Sequence, residues 1–279
     1  MIEVDDGVRL RTWTTGSAAG HPPVLLLHGG PGLWDYLEPV ARLLDPLTVV
    51  HRFDQRGCGG SDPSDEQSIA RTVADIEALR DHWGHDSWIV AGHSFGANLA
   101  YAYAASCAGN TAALIYLSGT GAGDWRTDYH RTRAERMTPE QQGRLAHLES
   151  LPARSPADET EYRALSWCTD FADPATAWQH ALADAATDLP INYAANRALT
   201  AETPDLLAQA SHLTMPTWFI HGDRDPRPAH TVRTLAAAVP TSRFCLIEGA
   251  GHKPWVERPH ELGGLLKSIV ESGARTMVK

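Results

Sequence analysis

The chain has 279 residues, 43% of them hydrophobic, with 34 acidic against 24 basic side chains and a formal net charge of −10. This length suits one large α/β domain, or one domain with an insertion, and the apolar content is enough for a sizeable core. The acidic balance argues against nucleic acid and anionic membrane as partners, because both would repel it.

The first residues, MIEVDDGVRLRTW, carry acids where a secretory signal carries bases. They also lack an apolar stretch, and no run approaches the roughly 18 apolar residues of a membrane span. The four cysteines form no CxxC pair, which favours reduced thiols. We therefore expect a soluble, cytoplasmic protein.

Short apolar runs alternate with amphipathic stretches up to Gly123. The N-terminus predicts an edge hairpin from Val4 and Val8–Trp13, turning at Asp6-Gly7. The strands that follow are predicted at Val24–Leu27, Thr48–Phe53, Trp88–Ala91 and Ala113–Leu117. The helices between them are predicted at Trp34–Leu44, at Ser68–Trp83 and from Ser94 or Phe95 onward.

Residues 124–212 lack strand-like runs and predict several helices, interrupted at Pro139, Pro152, Pro156, Pro174, Pro190 and Pro204. The alternation then returns, with strands at Thr217–His221 and Phe244–Glu248 and helices at Ala229–Ala238 and Pro259–Ser272. This order predicts a mostly parallel α/β sheet with helices on both faces. The core domain would comprise residues 1–123 and 213–279, and residues 124–212 would form an inserted helical cap. In such sheets the functional residues lie at the C-terminal ends of the strands.

Gly92-His93-Ser94-Phe95-Gly96 follows an apolar strand and precedes a helical pattern. It fits the G-x-S-x-G nucleophile elbow, in which a strained turn exposes a serine hydroxyl and glycines avoid collisions with the neighbouring strand and helix. The helix N-terminus favours a developing negative charge, and the Phe95 N–H would be one oxyanion donor.

A serine nucleophile needs a base and an acid that orients the base. Of the fourteen histidines, His252 lies in a glycine-flanked loop after the last predicted strand. Asp223 and Asp225 both follow the strand at Thr217–His221, and we favour Asp225 because it lies further into the loop. The chain order Ser94, Asp225, His252 is that of the α/β-hydrolases.

The glycine loop His28-Gly29-Gly30-Pro31-Gly32 could supply the second oxyanion donor, from Gly30 or alternatively from Gly29. Its spacing is not that of a phosphate-binding GxxxxGK[ST] loop. No His, Asp or Glu grouping has the spacing of metal ligands. We therefore expect neither a metal nor another cofactor.

The segments HGGPG (28–32), FDQRGCGGSDP (53–63) and GHSFG (92–96) resemble the proline iminopeptidase-like branch of the α/β-hydrolase superfamily, and the resemblance extends over nearly the whole chain. It implies a hydrolase with a helical cap, in which Asp54 and Arg56 organise a strand-end loop. Aminopeptidases of this branch bind the substrate's α-amine with acidic cap residues. At the matching places this chain has Asp170, shortly after Trp167, and Asn192.

The sequence thus predicts a cofactor-independent serine hydrolase that acts on a small molecule or a short peptide. Tryptophans of the cap suit an apolar acyl group: Trp125, Trp167 and Trp178. An ester, lactone or thioester and an N-terminal prolyl or aminoacyl peptide remain alternative substrates. A non-hydrolytic biosynthetic enzyme or a ligand-binding protein could use the same pocket.

Overall fold

The structure is a computed structural model that describes residues 1–18, 20–202 and 204–276. Its strands are β1 (Ile2–Glu3), β2 (Arg9–Leu10), β3 (Thr12–Thr15), β4 (Val24–Leu27), β5 (Val50–Phe53), β6 (Trp88–His93), β7 (Thr111–Leu117), β8 (Thr217–Gly222) and β9 (Ser242–Ile247). Its helices in the first half are α1 (Glu38–Leu44), α2 (Ile69–His82), α3 (Phe95–Ser106), α4 (Arg126–Arg136) and α5 (Pro139–Ser150). Those that follow are α6 (Pro156–Trp167), α7 (Pro174–Ala185), α8 (Tyr193–Ala201), α9 (Leu206–Gln209), α10 (Ala229–Ala238), α11 (Pro254–Glu257) and α12 (Pro259–Thr276).

A seven-stranded sheet in the order β3-β5-β4-β6-β7-β8-β9 organises the chain. Its edge strand β3 runs antiparallel to β5, and the remaining neighbours pair in parallel. The predicted hairpin is split: β1 and β2 form a separate antiparallel pair, whereas β3 joins the main sheet. The predicted fold class is confirmed.

Alternate side chains of the central strands pack against helices on opposite faces of the sheet, as the period of two in a strand requires. Trp88 and Val90 of β6 belong to a core that includes residues of α2, α3 and α10. Ile89 and Ala91 face a second core formed with α1 and α12. Because both faces are covered, only the strand ends are available for a site.

Helix α1 begins at Glu38, four residues later than the Trp34 start that we predicted from the apolar pattern. The backbone N–H of Asp35 donates to Asp54 Oδ1 at 2.7 Å, and the Asp35 carboxylate forms a buried ion pair with Arg52. These contacts with the strand-end loop hold the preceding backbone out of a helix. Tertiary contacts therefore override the local pattern here.

Three of the prolines that we expected to interrupt helices start them instead. Pro139, Pro156 and Pro174 each stand at the first turn, after Thr138, Ser155 and Asp173 as the N-caps of α5, α6 and α7. A first-turn N–H has no acceptor within its helix, so proline loses nothing there.

Helices α4–α9 lie between β7 and β8 in the chain, and α8 contacts the loop that follows β4. The backbone N–H of Asn192 donates to the Gly32 carbonyl at 2.8 Å, and the Asn196 amide donates to the Pro31 carbonyl at 2.8 Å. The inserted segment thus lies against the glycine loop. In the described part of the chain, no helix is both long and apolar enough to cross a membrane.

Candidate active site

Ser94 stands between β6 and α3 with φ of 58° and ψ of −122°, a backbone conformation that is strained for a residue other than glycine. A Cβ at Gly92 would lie 1.9 Å from the Gly96 carbonyl oxygen, and one at Gly96 would lie 2.3 Å from the Leu27 carbonyl oxygen. Both positions of the elbow therefore require glycine, for the steric reason that the sequence suggested.

The loops after β8 and β9 bring Asp225 and His252 together. The Nδ1 atom of His252 lies 2.7 Å from Asp225 Oδ2, and both side chains are buried. The backbone N–H of Arg227 donates to the second carboxylate oxygen of Asp225 at 2.9 Å. Asp223 instead accepts the Gly249 N–H at 2.7 Å. The structure therefore pairs His252 with Asp225 and leaves Asp223 in the turn.

A chain of hydrogen bonds links the His252 loop to the glycine loop. It runs through His93 and Tyr36, which sequence reasoning did not select. His93 Nε2 lies 2.9 Å from the His252 carbonyl oxygen, so Nε2 must carry the proton. The other nitrogen, His93 Nδ1, then accepts from the Tyr36 hydroxyl at 2.7 Å, and that hydroxyl accepts the Gly29 N–H at 2.8 Å. The position of His93 within the elbow was the available sequence signal, but Tyr36 had none.

This chain of hydrogen bonds also distinguishes the two candidate oxyanion donors of the glycine loop. The Gly29 N–H is engaged by Tyr36. Within the described ranges, the N–H groups of Gly30 and of Phe95, the first residue of α3, have no hydrogen-bond acceptor. Both residues line a cavity beside Ser94. The geometry favours Gly30 over Gly29.

Ser94 lies where two cavities meet, and Gly30 and Arg227 border both of them. The smaller cavity, of about 100 Å³, is lined by His252 and by Trp34, Tyr36, Trp167, Asp170, Asp184 and Lys253. The larger, of about 460 Å³, is lined by Phe95, Asn98, Trp125, Leu206 and Leu207 among others. A substrate whose carbonyl is attacked by Ser94 could thus place one of its groups in each cavity.

Ser94 and His252 share the wall of the smaller cavity. Among the described residues, no hydrogen bond joins the Ser94 hydroxyl to the His252 ring. Such contacts are often long before substrate binds.

The predicted substrate-binding residues fall into two groups. Trp125 lines the larger cavity, and Trp167 and Asp170 line the smaller. Asn192 is used elsewhere: its side-chain oxygen caps α8 by accepting the Ala195 N–H at 3.0 Å, and its amide nitrogen donates to the Gly57 carbonyl at 2.8 Å. This position corrects the prediction for Asn192, which fastens the inserted segment to the core.

The segment after β5 has the architectural contacts that the resemblance implied. Asp54 accepts the N–H groups of Asp35 and Gly60, each at 2.7 Å. The Arg56 guanidinium pairs with buried Asp75 at 2.7 Å. In the described part of the chain, no group of three or more His, Cys, Asp or Glu side chains is placed to hold a metal ion.

Burial lowers the pKa of His252 well below its ordinary value of 6.5 and raises the pKa of Asp225. The nearby Arg227 charge lowers the pKa of His252 further. The imidazole is therefore neutral at about pH 7, the state in which it can accept a proton.

This direction predicts the acid limb of a pH–rate profile. If His252 acts as a base, protonating it abolishes activity, and its lowered pKa moves that loss to more acidic pH. We expect kcat/KM for an uncharged ester to remain constant on acidification until the pH is below 6.5. A limb with its midpoint above 6.5 would show that another group controls the rate.

Comparison with known proteins places the chain in a family. Residues 24–263 match the profile of the alpha/beta hydrolase family. The chain belongs to the alpha/beta hydrolase family. This confirms the superfamily resemblance that the motifs indicated.

The relatives include proline iminopeptidases, and the solved structures with a similar fold include an esterase. The proline iminopeptidase of Xanthomonas citri is 39% identical over 147 residues, which are 50% of this chain and 45% of that protein, less than half of its length. The proline iminopeptidase of Lactobacillus helveticus is 25% identical over 272 residues, 92% of each chain. A thermophilic esterase from Thermogutta terrifontis has a TM-score of 0.75 at 22% identity, over 97% of this chain and 96% of that one. The likeness to this esterase is one of fold alone.

Proposed function

We propose that this alpha/beta hydrolase is a cofactor-independent serine hydrolase that cleaves a small ester, amide or related acyl substrate through an acyl-enzyme. The observation that supports the proposal most is the 2.7 Å contact between His252 Nδ1 and Asp225 Oδ2. His252 also lines the same cavity as Ser94. The strained backbone of Ser94 adds to it, because such strain persists only where the surroundings enforce it.

The proposed mechanism uses the same groups in both half-reactions. Since Asp225 holds the Nδ1–H of His252, the Nε2 atom is free to take the proton of the Ser94 hydroxyl as its oxygen attacks the substrate carbonyl. The N–H groups of Phe95 and Gly30 would stabilise the oxyanion. The protonated His252 then donates to the leaving group. Water, deprotonated by the same ring, attacks the acyl carbonyl, and the ring returns that proton to Ser94 Oγ as the bond to the acyl group breaks.

The inserted segment supplies walls of both cavities, through Trp125, Trp167 and Leu206. We therefore propose that residues 124–212 act as a cap that encloses the substrate, set on a core of residues 1–123 and 213–279. Closing the site in this way would limit the size of the substrate and exclude bulk water.

A second candidate is an N-terminal prolyl or aminoacyl peptidase. The proline iminopeptidases among the relatives favour it, and two carboxylates of the inserted segment, Asp170 and Asp184, line the smaller cavity. A free α-amine would need such an acidic partner when it is buried.

A substrate comparison tests both candidates. Purified protein with a chelator present would be assayed on p-nitrophenyl acetate and butyrate and on prolyl-p-nitroanilide. We expect both esters to be hydrolysed without added metal. Turnover of the prolyl anilide alone would favour the peptidase, and turnover of neither class would contradict the proposed function.

A further inference from the structure

The smaller cavity contains two carboxylates from the inserted segment, and each is paired with a cation from the core. Asp170 forms an ion pair with Arg227, in the loop after β8. Asp184 of α7 accepts from Lys253 Nζ at 2.7 Å, and Lys253 directly follows His252. The four side chains all line the cavity.

Both cations are shielded from solvent. The Arg227 side chain is 14% exposed and lies over the Tyr129 ring at 4.6 Å from its centroid. The Lys253 side chain is 12% exposed, and its Nζ lies 5.1 Å from the Tyr36 ring centroid. Salt screens charges in such surroundings much less than it screens surface charges, so each cation affects a charged group brought beside it.

The pairs leave the cavity wall without an unbalanced carboxylate. Two negative charges, Asp170 and Asp184, face two positive charges, Arg227 and Lys253. His252 is neutral, since burial lowers its pKa. Asp225, whose Oδ1 lies 3.8 Å from the Arg227 guanidinium, is behind the His252 ring and is not part of the wall. A substrate ammonium placed here could contact either carboxylate only by also approaching the cation that is paired with it.

We infer that Arg227 and Lys253 are specificity residues that exclude a free α-amine from the smaller cavity, so an acyl group bound there carries no ammonium beside its carbonyl. This inference rests on the proposed serine hydrolase function and selects a substrate class within it. Asp170 and Asp184 are then ties between the cap segment and the core, and neither is a receptor for an amine.

Proline benzyl ester and benzyl cyclopentanecarboxylate form a matched pair for the test, because a ring ammonium in one replaces a methylene in the other. At pH 6.5 the amine is mostly protonated, since α-amino groups have pKa values of about 7.7–8.0. We expect the wild-type kcat/KM to be about tenfold or more higher for the uncharged ester. Where an ester is not turned over, its inhibition constant against p-nitrophenyl acetate replaces kcat/KM.

Two variants test whether the ion pair of Asp184 and Lys253 causes the preference for the uncharged ester. Lys253→Met leaves Asp184 unpaired, and we expect it to move the ratio toward the proline ester by about tenfold. Asp184→Asn leaves Lys253 unpaired, and we expect it to move the ratio toward the uncharged ester. This variant replaces Lys253→Met in the test if Lys253→Met does not fold. Lys267→Met, at a side chain that is 61% exposed, removes the same charge far from the cavity and should leave the ratio unchanged.

A wild-type preference for the proline ester, or an unchanged ratio in Lys253→Met and Asp184→Asn, would overturn the inference. Either result would leave the hydrolase proposal in place as long as p-nitrophenyl acetate is still cleaved. Absence of ester cleavage altogether would overturn both.

Discussion

Replacing Ser94 with alanine is expected to lower kcat/KM for p-nitrophenyl esters by about 10⁴-fold or more. The variant loses only the hydroxyl oxygen, which in the proposed mechanism forms the bond to the acyl group. The remaining groups, the Asp225–His252 pair and the backbone donors, can polarise a carbonyl but cannot form the acyl-enzyme. Steady-state kinetics would give the loss, and circular dichroism would check that the fold is retained.

Ser118 provides a matched control for this substitution. It also ends a central strand with a positive φ, of 48°, but its side chain is fully buried and its hydroxyl has no hydrogen-bond partner. Ser118→Ala should therefore change kcat/KM by less than about twofold, because the site loses no contact. Equal losses in the two variants would mean that Ser94 acts through the fold alone.

Asp225→Asn is the second change with a large expected effect. The amide can still meet His252 Nδ1 at 2.7 Å, but it can donate a proton there, which stabilises the tautomer with Nε2 protonated. That tautomer cannot accept the serine proton, so we expect kcat to fall by about 10⁴-fold. The buried site also loses the negative charge that would stabilise an imidazolium.

Asp223→Asn is the corresponding control in the same loop. In the wild-type protein the Gly249 N–H donates to Asp223 at 2.7 Å, and the asparagine side-chain oxygen can accept the same hydrogen bond. We therefore expect less than about a tenfold change in kcat. Similar losses at both positions would refute the assignment of Asp225 as the partner of His252.

The strands and the elbow could be predicted because their signals are local. Continuous apolar runs mark the strands and the Gly-x-Ser-x-Gly spacing marks the elbow, although a side chain at Gly96 would collide with the carbonyl oxygen of the distant Leu27. The pairing of His252 with Asp225 followed from where parallel strands end. These features depend on topology, and topology follows from the alternation of strands and helices.

Other features of the site depend on distant parts of the chain, and the local pattern did not contain them. Asp170 and Arg227 are 57 positions apart, and Asp184 and Lys253 are 69 positions apart. The sequence offered Asp170 as a carboxylate but gave no sign that a guanidinium already neutralises it. Asn192 was misassigned for a similar reason, since its amide bonds to Gly57 across the interface between cap segment and core.

A crystal structure after reaction with a p-nitrophenyl phosphonate tests the proposed arrangement most directly. We expect phosphorus bonded to Ser94 Oγ, a phosphoryl oxygen within hydrogen-bond distance of the Phe95 and Gly30 N–H groups, and His252 Nε2 beside the adduct. An adduct on another residue, or a His252 ring that stays out of reach of an adduct on Ser94, would contradict it.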